Sequence, residues 1–248
     1  GGLSEALHRA WLSTIQHLRT IHEKTPEEVL VPEGGELDDK VKNMIDSMFE
    51  GAKLSAAATT ELKEHLYKNR SILGADGSLP HALVPPAKLE VKENANLPTA
   101  KILPTLNTKE REWLVDHVKS LMKKGVLVPS TSSVCSPILL VPKRASDGSL
   151  TYRLVVDFRL LNACLERGPA NPLGEPIAVQ LGRCQKSKLF SWMDFSSAFM
   201  QILLDEKSSD LTSILTPIGL LKYVRTPFGL TSSGALWSAV AARLFFNI

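Results

Sequence analysis

A chain of 248 residues with 44% apolar and 22% charged residues has the composition of an ordinary globular protein, long enough for one large domain or two smaller ones. Its net charge of +3 permits a polyanionic partner without demanding one, so local clusters must carry any nucleic-acid argument. Cys135, Cys164 and Cys184 form no CxxC pair and the histidines lie far from them, which excludes zinc-ligand spacing. No apolar run reaches membrane-spanning length, and no secretory signal precedes the first charged residues.

Leu7, Trp11, Ile15 and Leu18 recur at helical spacing and predict an amphipathic helix over residues 3–23, ended by Thr25-Pro26. Pro32-Glu33-Gly34-Gly35-Glu36 reads as a turn-rich linker. Asp38 or Asp39 is the expected cap of a second helix that carries Val41, Ile45 and Met48 and stops at Gly51. Ser55 caps a third, with Leu62 and Leu66 inward and a basic end at Lys68 and Arg70. Between Leu79 and Pro104 the prolines at 80, 85, 86, 98 and 104 forbid a helix and favour a strap along a surface.

Asn107 followed by Glu110 marks the next helix start. Trp113, Leu114, Val118 and Leu121 form its inward stripe, Lys119, Lys123 and Lys124 its solvated faces, and Gly125 its end. Two β runs, Ile138–Lys143 and Thr151–Asp157, join through Asp147-Gly148, a hairpin signal. Period two sets Arg153, Val155 and Asp157 on one face of the second run and Tyr152, Leu154 and Val156 on the other. Residues 169–176 read as loop and Ile177–Leu181 as a short helical turn. An apolar strand, Phe190-Ser191-Trp192-Met193, then runs into Asp194, which points a hard oxygen ligand out of the sheet. Thr226-Pro227-Phe228-Gly229-Leu230-Thr231 precedes a last helix with the stripe Trp237, Val240, Ala241, Leu244 and Phe245.

Asp194-Phe195-Ser196-Ser197-Ala198-Phe199-Met200-Gln201 followed by Pro227-Phe228-Gly229-Leu230 resembles motifs A and B of reverse transcriptases, most closely those of gypsy-type LTR retrotransposons. The order before them fits as well: Lys123-Lys124-Gly125-Val126-Leu127, Ser136-Pro137, Leu140-Val141-Pro142-Lys143, Asp147-Gly148 and Tyr152 through Asn162. The resemblance is closest from Leu106 onward, begins more weakly near Leu54, and has no counterpart in residues 1–53. It implies an α+β right-hand polymerase fragment: a helical extension over 1–53, a connector strap over 54–106, a fingers-like region over 107–185 and a partial palm over 186–248.

By that resemblance, Lys143 and Arg153 grip the triphosphate and Asp157 holds the Arg153 guanidinium. Asp194 and the Phe195 carbonyl hold Mg²⁺ or Mn²⁺, and Phe199 is the steric gate against a ribose 2′-hydroxyl. Gln201, Phe228 and Gly229 line the nucleotide side, Gly229 through close backbone approach. Arg159 and Asn162 are template-side or structural. The implied partners are an RNA/DNA primer–template, deoxynucleoside triphosphates and the remainder of a Pol polyprotein, with no membrane. The implied location is a cytoplasmic virus-like particle or the nucleus.

The chain departs from the family at Ser232-Ser233-Gly234, where Asn-Ala-Pro is usual, and Gly234 is expected to loosen the helix start. It stops before the usual Tyr-x-Asp-Asp motif, so by itself it is expected to be inactive. The rival reading is a retroelement-derived, non-catalytic module that binds nucleic acid or protein. The departures favour that rival; the intact set of Lys143, Arg153, Asp194 and Phe199 opposes it.

Overall fold

The structure, a computed structural model, describes residues 35–73, 79, 81–82, 84–99, 101–145, 147–166, 177–185 and 194–245. The expected helix over 3–23, the loop over 169–176 and the strand leading into Asp194 lie outside the described residues. The described residues fall into two compact units. One draws on Gly1–Leu83, Leu173–Phe195 and Val240–Ile248, the other on Val84–Pro172 and Ser196–Ala239.

In the first unit, α1 (Glu36–Met48) and α2 (Ala56–Lys68) pack through Val41, Ile45 and Leu66. Ser55 caps α2 as expected, accepting from the Ala58 amide. The cap of α1 differs from expectation: it is Gly35, at φ 97°, and Asp38 lies inside the first turn. Asp38 is buried because it has partners, the Tyr67 hydroxyl at 2.6 Å and Lys42 at 2.8 Å. Met48, expected inward, is exposed. A further helix, α5, spans Ile177–Cys184.

The second unit is built on α3 (Thr108–Lys123), whose start is a full capping box between Asn107 and Glu110. Leu114, Val118 and Leu121 are buried along its length, and Gly125 just beyond it takes φ 62°. A three-stranded antiparallel sheet has the order β1 (Leu127–Pro129), β5 (Gly219–Tyr223), β4 (Ile214–Thr216). Beside it in sequence stands the hairpin of β2 (Ile138–Arg144) and β3 (Leu150–Val156), followed by the short α4 (Arg159–Cys164). Where described, the proline-rich strap forms no helix and is broken by a turn at Glu93-Asn94, where Asn94 takes φ 57°. Ala87 bridges Leu204, Val91 bridges Leu165, and the Leu89 amide donates to Ser208 Oγ at 2.7 Å. It is therefore stitched to the unit by backbone hydrogen bonds and not by a helical face.

A 3₁₀ turn (Ala198–Gln201) and α6 (Glu206–Leu211) precede β4. The last helix, α7 (Ser233–Phe245), buries Val240, with Trp237 and Ala241 half-buried. The side chains of Leu244 and Phe245 lie outside the description. Gly234 does not delay this helix. It starts one residue earlier, where buried Ser233 donates its hydroxyl to the Pro227 carbonyl at 3.0 Å.

Candidate active site

The hairpin register fixes which side chains share a face. Val141 stands opposite Arg153 and Lys143 opposite Thr151, so Lys143 and Arg153 are diagonal neighbours on one face. Both are exposed, with Leu139 and Val141 beside them. The other face turns Tyr152 toward α3, where its ring meets Trp113 at 5.7 Å and Trp113 stacks on His117 at 4.7 Å. Burial lowers the pKa of His117, and the charges of Lys124 and Lys143 lower it further.

Asp157 does not hold Arg153. The strand ends at Val156, and the turn into α4 brings Arg159 back onto the carboxylate. Arg159 Nε donates to Asp157 Oδ1 at 2.8 Å, Nη2 to Oδ2 at 2.6 Å, and the Arg159 amide to Oδ1 at 3.1 Å. Those donors hold the Asp157 pKa down at about 2. Among the described residues no carboxylate pairs with Arg153, so its guanidinium keeps its fork of donors for another anion.

Asn162, three residues on, reaches the Phe228-Gly229 loop. Its Nδ2 donates to the Gly229 carbonyl at 2.9 Å, and its Oδ1 accepts from the Thr231 amide at 3.0 Å. Gly229 sits at φ 93°, where only glycine is unstrained, and a side chain there would come up against the Val156 carbonyl and the Phe158 ring. On the near side of the loop, Thr226 is buried and donates its amide to the Ile202 carbonyl at 2.8 Å.

Phe228 is 54% exposed, and its ring meets that of Phe199 edge to face at 5.3 Å. Phe199 rides on the 3₁₀ turn, which is braced from both sides. Gln201 Nε2 donates to the Ser196 carbonyl at 2.9 Å, and the buried Arg225 donates Nη1 to the Met200 carbonyl at 3.1 Å and Nε to the Gly125 carbonyl at 3.0 Å. Gln201 thus supports the turn that carries the ring. Asp194 is exposed and Phe195 half-buried; both belong to the first unit. Among the described residues no group of three or more His, Cys, Asp or Glu side chains could hold a metal ion. No described helix is long and apolar enough to cross a membrane.

The second unit therefore gathers Phe199, Phe228 and Gly229 into one aromatic corner, and sets Lys143 and Arg153 on one cationic face. Sequence reasoning missed the loop-holding role of Asn162, whose partners are 67 and 69 residues away, and the bracing role of Arg225.

Residues 141–248 match the family described as reverse transcriptase (RNA-dependent DNA polymerase). The retrovirus-related Pol polyprotein from transposon 412 of Drosophila melanogaster is 44% identical over 123 residues, 48% of this chain and 10% of that protein. That from transposon 297 is 30% identical over 217 residues, 86% of this chain and 20% of that protein. That from transposon gypsy is 35% identical over 130 residues, 51% and 12% respectively. The chain thus spans about a tenth to a fifth of the length of these curated relatives. Among solved structures, a prototype foamy virus protease-reverse transcriptase superposes with TM-score 0.71 at 22% identity, over 84% of this chain and 27% of that one. A foamy viral protease-reverse transcriptase in complex with an RNA/DNA hybrid gives 0.65 at 22% identity, over 92% and 29%. The α+β fold is that of a reverse transcriptase polymerase fragment.

Proposed function

The chain belongs, over residues 141–248, to the reverse transcriptase family, and from that premise we propose that it forms the nucleotide-facing part of an RNA-directed DNA polymerase from a retrotransposon Pol polyprotein. In this reading residues 107–185 are a fingers-like region and 186–248 the first part of the palm, with 54–106 as connector and 1–53 as an extension. Its substrates are an RNA/DNA primer–template and deoxynucleoside triphosphates.

One observation carries the reading. Phe199 and Phe228 come from two motifs far apart in sequence, yet their rings meet at 5.3 Å beside a glycine at φ 93°. A braced ring is a wall, and a wall at the sugar excludes a 2′-hydroxyl by shape while leaving the triphosphate alone. Lys143 and Arg153 supply the complementary charge: Arg153 donates two parallel hydrogen bonds to phosphate oxygens and Lys143 acts as a point charge. Catalysis by such a site is positioning and charge stabilisation, with little covalent chemistry for the protein to perform.

The family generally works with divalent metal ions. When bound, Mg²⁺ or Mn²⁺ would offset triphosphate charge and stabilise the attacking and leaving oxygens. The Asp194 carboxylate and the Phe195 carbonyl are hard oxygen donors of the right type. They fit as part of a donor set, one carboxylate being one ligand; further carboxylates would come from outside the described residues.

The test is single-nucleotide primer extension with Mg²⁺ or Mn²⁺, using this chain joined to the polymerase segment that its relatives carry beyond it. Templated incorporation that vanishes in Asp194→Asn, with the circular dichroism spectrum unchanged, is expected. Incorporation by Asp194→Asn at the unsubstituted rate contradicts the reading.

A further inference from the structure

We infer that Asn162 is a positioning residue for the sugar pocket: it holds the loop that carries Phe228 and, through that ring, sets where Phe199 stands. This rests on the polymerase reading above. Both ends of one side-chain amide are used on loop backbone, the donor on Gly229 and the acceptor on Thr231. Two bonds from one rigid planar group fix the loop in rotation as well as translation, whereas a single bond would leave a pivot.

The loop needs this hold. Its near side is anchored by Thr226 on Ile202 and by the Ser233 hydroxyl on the Pro227 carbonyl. Phe228 lies between the anchored Pro227 and the clamped Gly229. With more than half its surface exposed, the Phe228 ring has little core packing to place it, so its position is inherited from the backbone. Phe199 then takes its edge-to-face partner from that position.

Asn162 is itself well placed to act as a fixed point. Leu161 and Cys164 bury the inner side of α4 and Phe158 is buried just before it. Asp157 ties the first amide and the guanidinium of Arg159 together at the helix start. The contacts run without a break from β3, which carries Arg153, through Asp157, α4 and Asn162 to the loop and the two rings. A pocket wall holds its geometry only if the groups behind it are locked by such supporting bonds.

Two measurements test this. In the 248-residue chain, amide hydrogen exchange at Thr231 should speed up by about tenfold in Asn162→Ala, the effect of losing an ordinary hydrogen bond. It should quicken by a smaller factor in Asn162→Asp, which keeps the acceptor for the Thr231 amide but sets an oxygen where the donor to Gly229 stood. In the polymerase-competent form, the preference for deoxynucleotide over ribonucleotide incorporation should fall by about tenfold in Asn162→Ala and by a smaller factor in Asn162→Asp. Primer–template affinity should change less than about twofold, as expected of a residue that touches no phosphate. Because Asn162 acts through the gate, Asn162→Ala should lower the preference no further in a Phe199→Val background.

Unchanged Thr231 exchange in Asn162→Ala overturns the inference at its root. So does an equal loss of preference in both backgrounds, or weaker primer–template binding with the preference intact, which would make Asn162 a template contact. If Phe199→Val alone leaves the preference unchanged, the polymerase pocket reading fails, and Thr231 exchange still reports whether the clamp exists.

Discussion

Gly229→Ala separates the conformation of the loop from its contacts. A Cβ at position 229 would lie 3.5 Å from the Val156 carbonyl oxygen and 3.6 Å from Phe158 Cδ2, both ordinary van der Waals distances, so overlap contributes little. The backbone, however, stands at φ 93°, where an L side chain costs about 1–2 kcal/mol. Gly148 in the hairpin turn is the matched control, with φ 82° and nothing within 4 Å of an added Cβ. For a chain of this size each substitution should lower Tm by about 2–8 °C, since 1 kcal/mol corresponds to about 2–4 °C. The two variants part at the second readout. Only position 229 carries the carbonyl that Asn162 holds, so Thr231 exchange should quicken in Gly229→Ala and stay as it was in Gly148→Ala. A melt of Gly229→Ala at the unsubstituted temperature, with Gly148→Ala lowered as expected, would refute the left-handed loop and the argument built on it.

Asp157 should titrate with a midpoint of about 2 by carboxyl NMR and return toward its ordinary 3.8 in Arg159→Ala. A depressed folded-state pKa means the ionised form stabilises the fold. That contribution is complete above the unfolded value near 4 and is lost as pH falls from there through about 2. Because Arg159 is 87% exposed, molar salt should move the midpoint upward; a midpoint indifferent to both Arg159 and salt contradicts the pairing. Asn107→Ala removes the side-chain half of the capping box on α3, the bond that Asn107 Oδ1 accepts from the Glu110 amide, and should cost about 1 kcal/mol in urea unfolding. Primer–template binding through the exposed Lys119, Lys123, Lys124, Lys143, Arg144, Arg153 and Arg159 should weaken with salt. The log–log slope should be near −3 to −4 if about three to five phosphates are neutralised; a flat dependence argues for a protein partner.

The elements that proved legible in the sequence are those whose causes are local. The caps at Ser55 and Asn107, the stripe of Leu114, Val118 and Leu121, and the hairpin turn at Asp147-Gly148 all depend on residues within a few positions of each other. Strand periodicity likewise puts Arg153 and Val155 on one face. It fails at Asp157 because periodicity assumes the strand continues. One residue past Val156 the chain turns, and the nearest cation becomes Arg159. Asp38 misleads for the opposite reason. An acidic residue near a helix start reads as a cap, but Tyr67 on the next helix supplies a partner that lets Asp38 be buried, and glycine at φ 97° takes the cap position. Asn162 could not be assigned from the sequence at all, since no local pattern marks a side chain whose partners lie across the fold.

The most direct test of the central claim is the sugar preference of Phe199→Val, measured as the ratio of kcat/KM for a deoxynucleotide to that for its ribonucleotide in the polymerase-competent form. The Phe199 ring is half-buried against Phe228, and in its proposed role it acts on the sugar and not on the metal or the triphosphate. Replacing it by valine should therefore lower the ratio mainly by raising ribonucleotide use, with deoxynucleotide kcat largely kept. A folded, active Phe199→Val enzyme with an unchanged ratio would contradict the assignment of this corner as the nucleotide pocket.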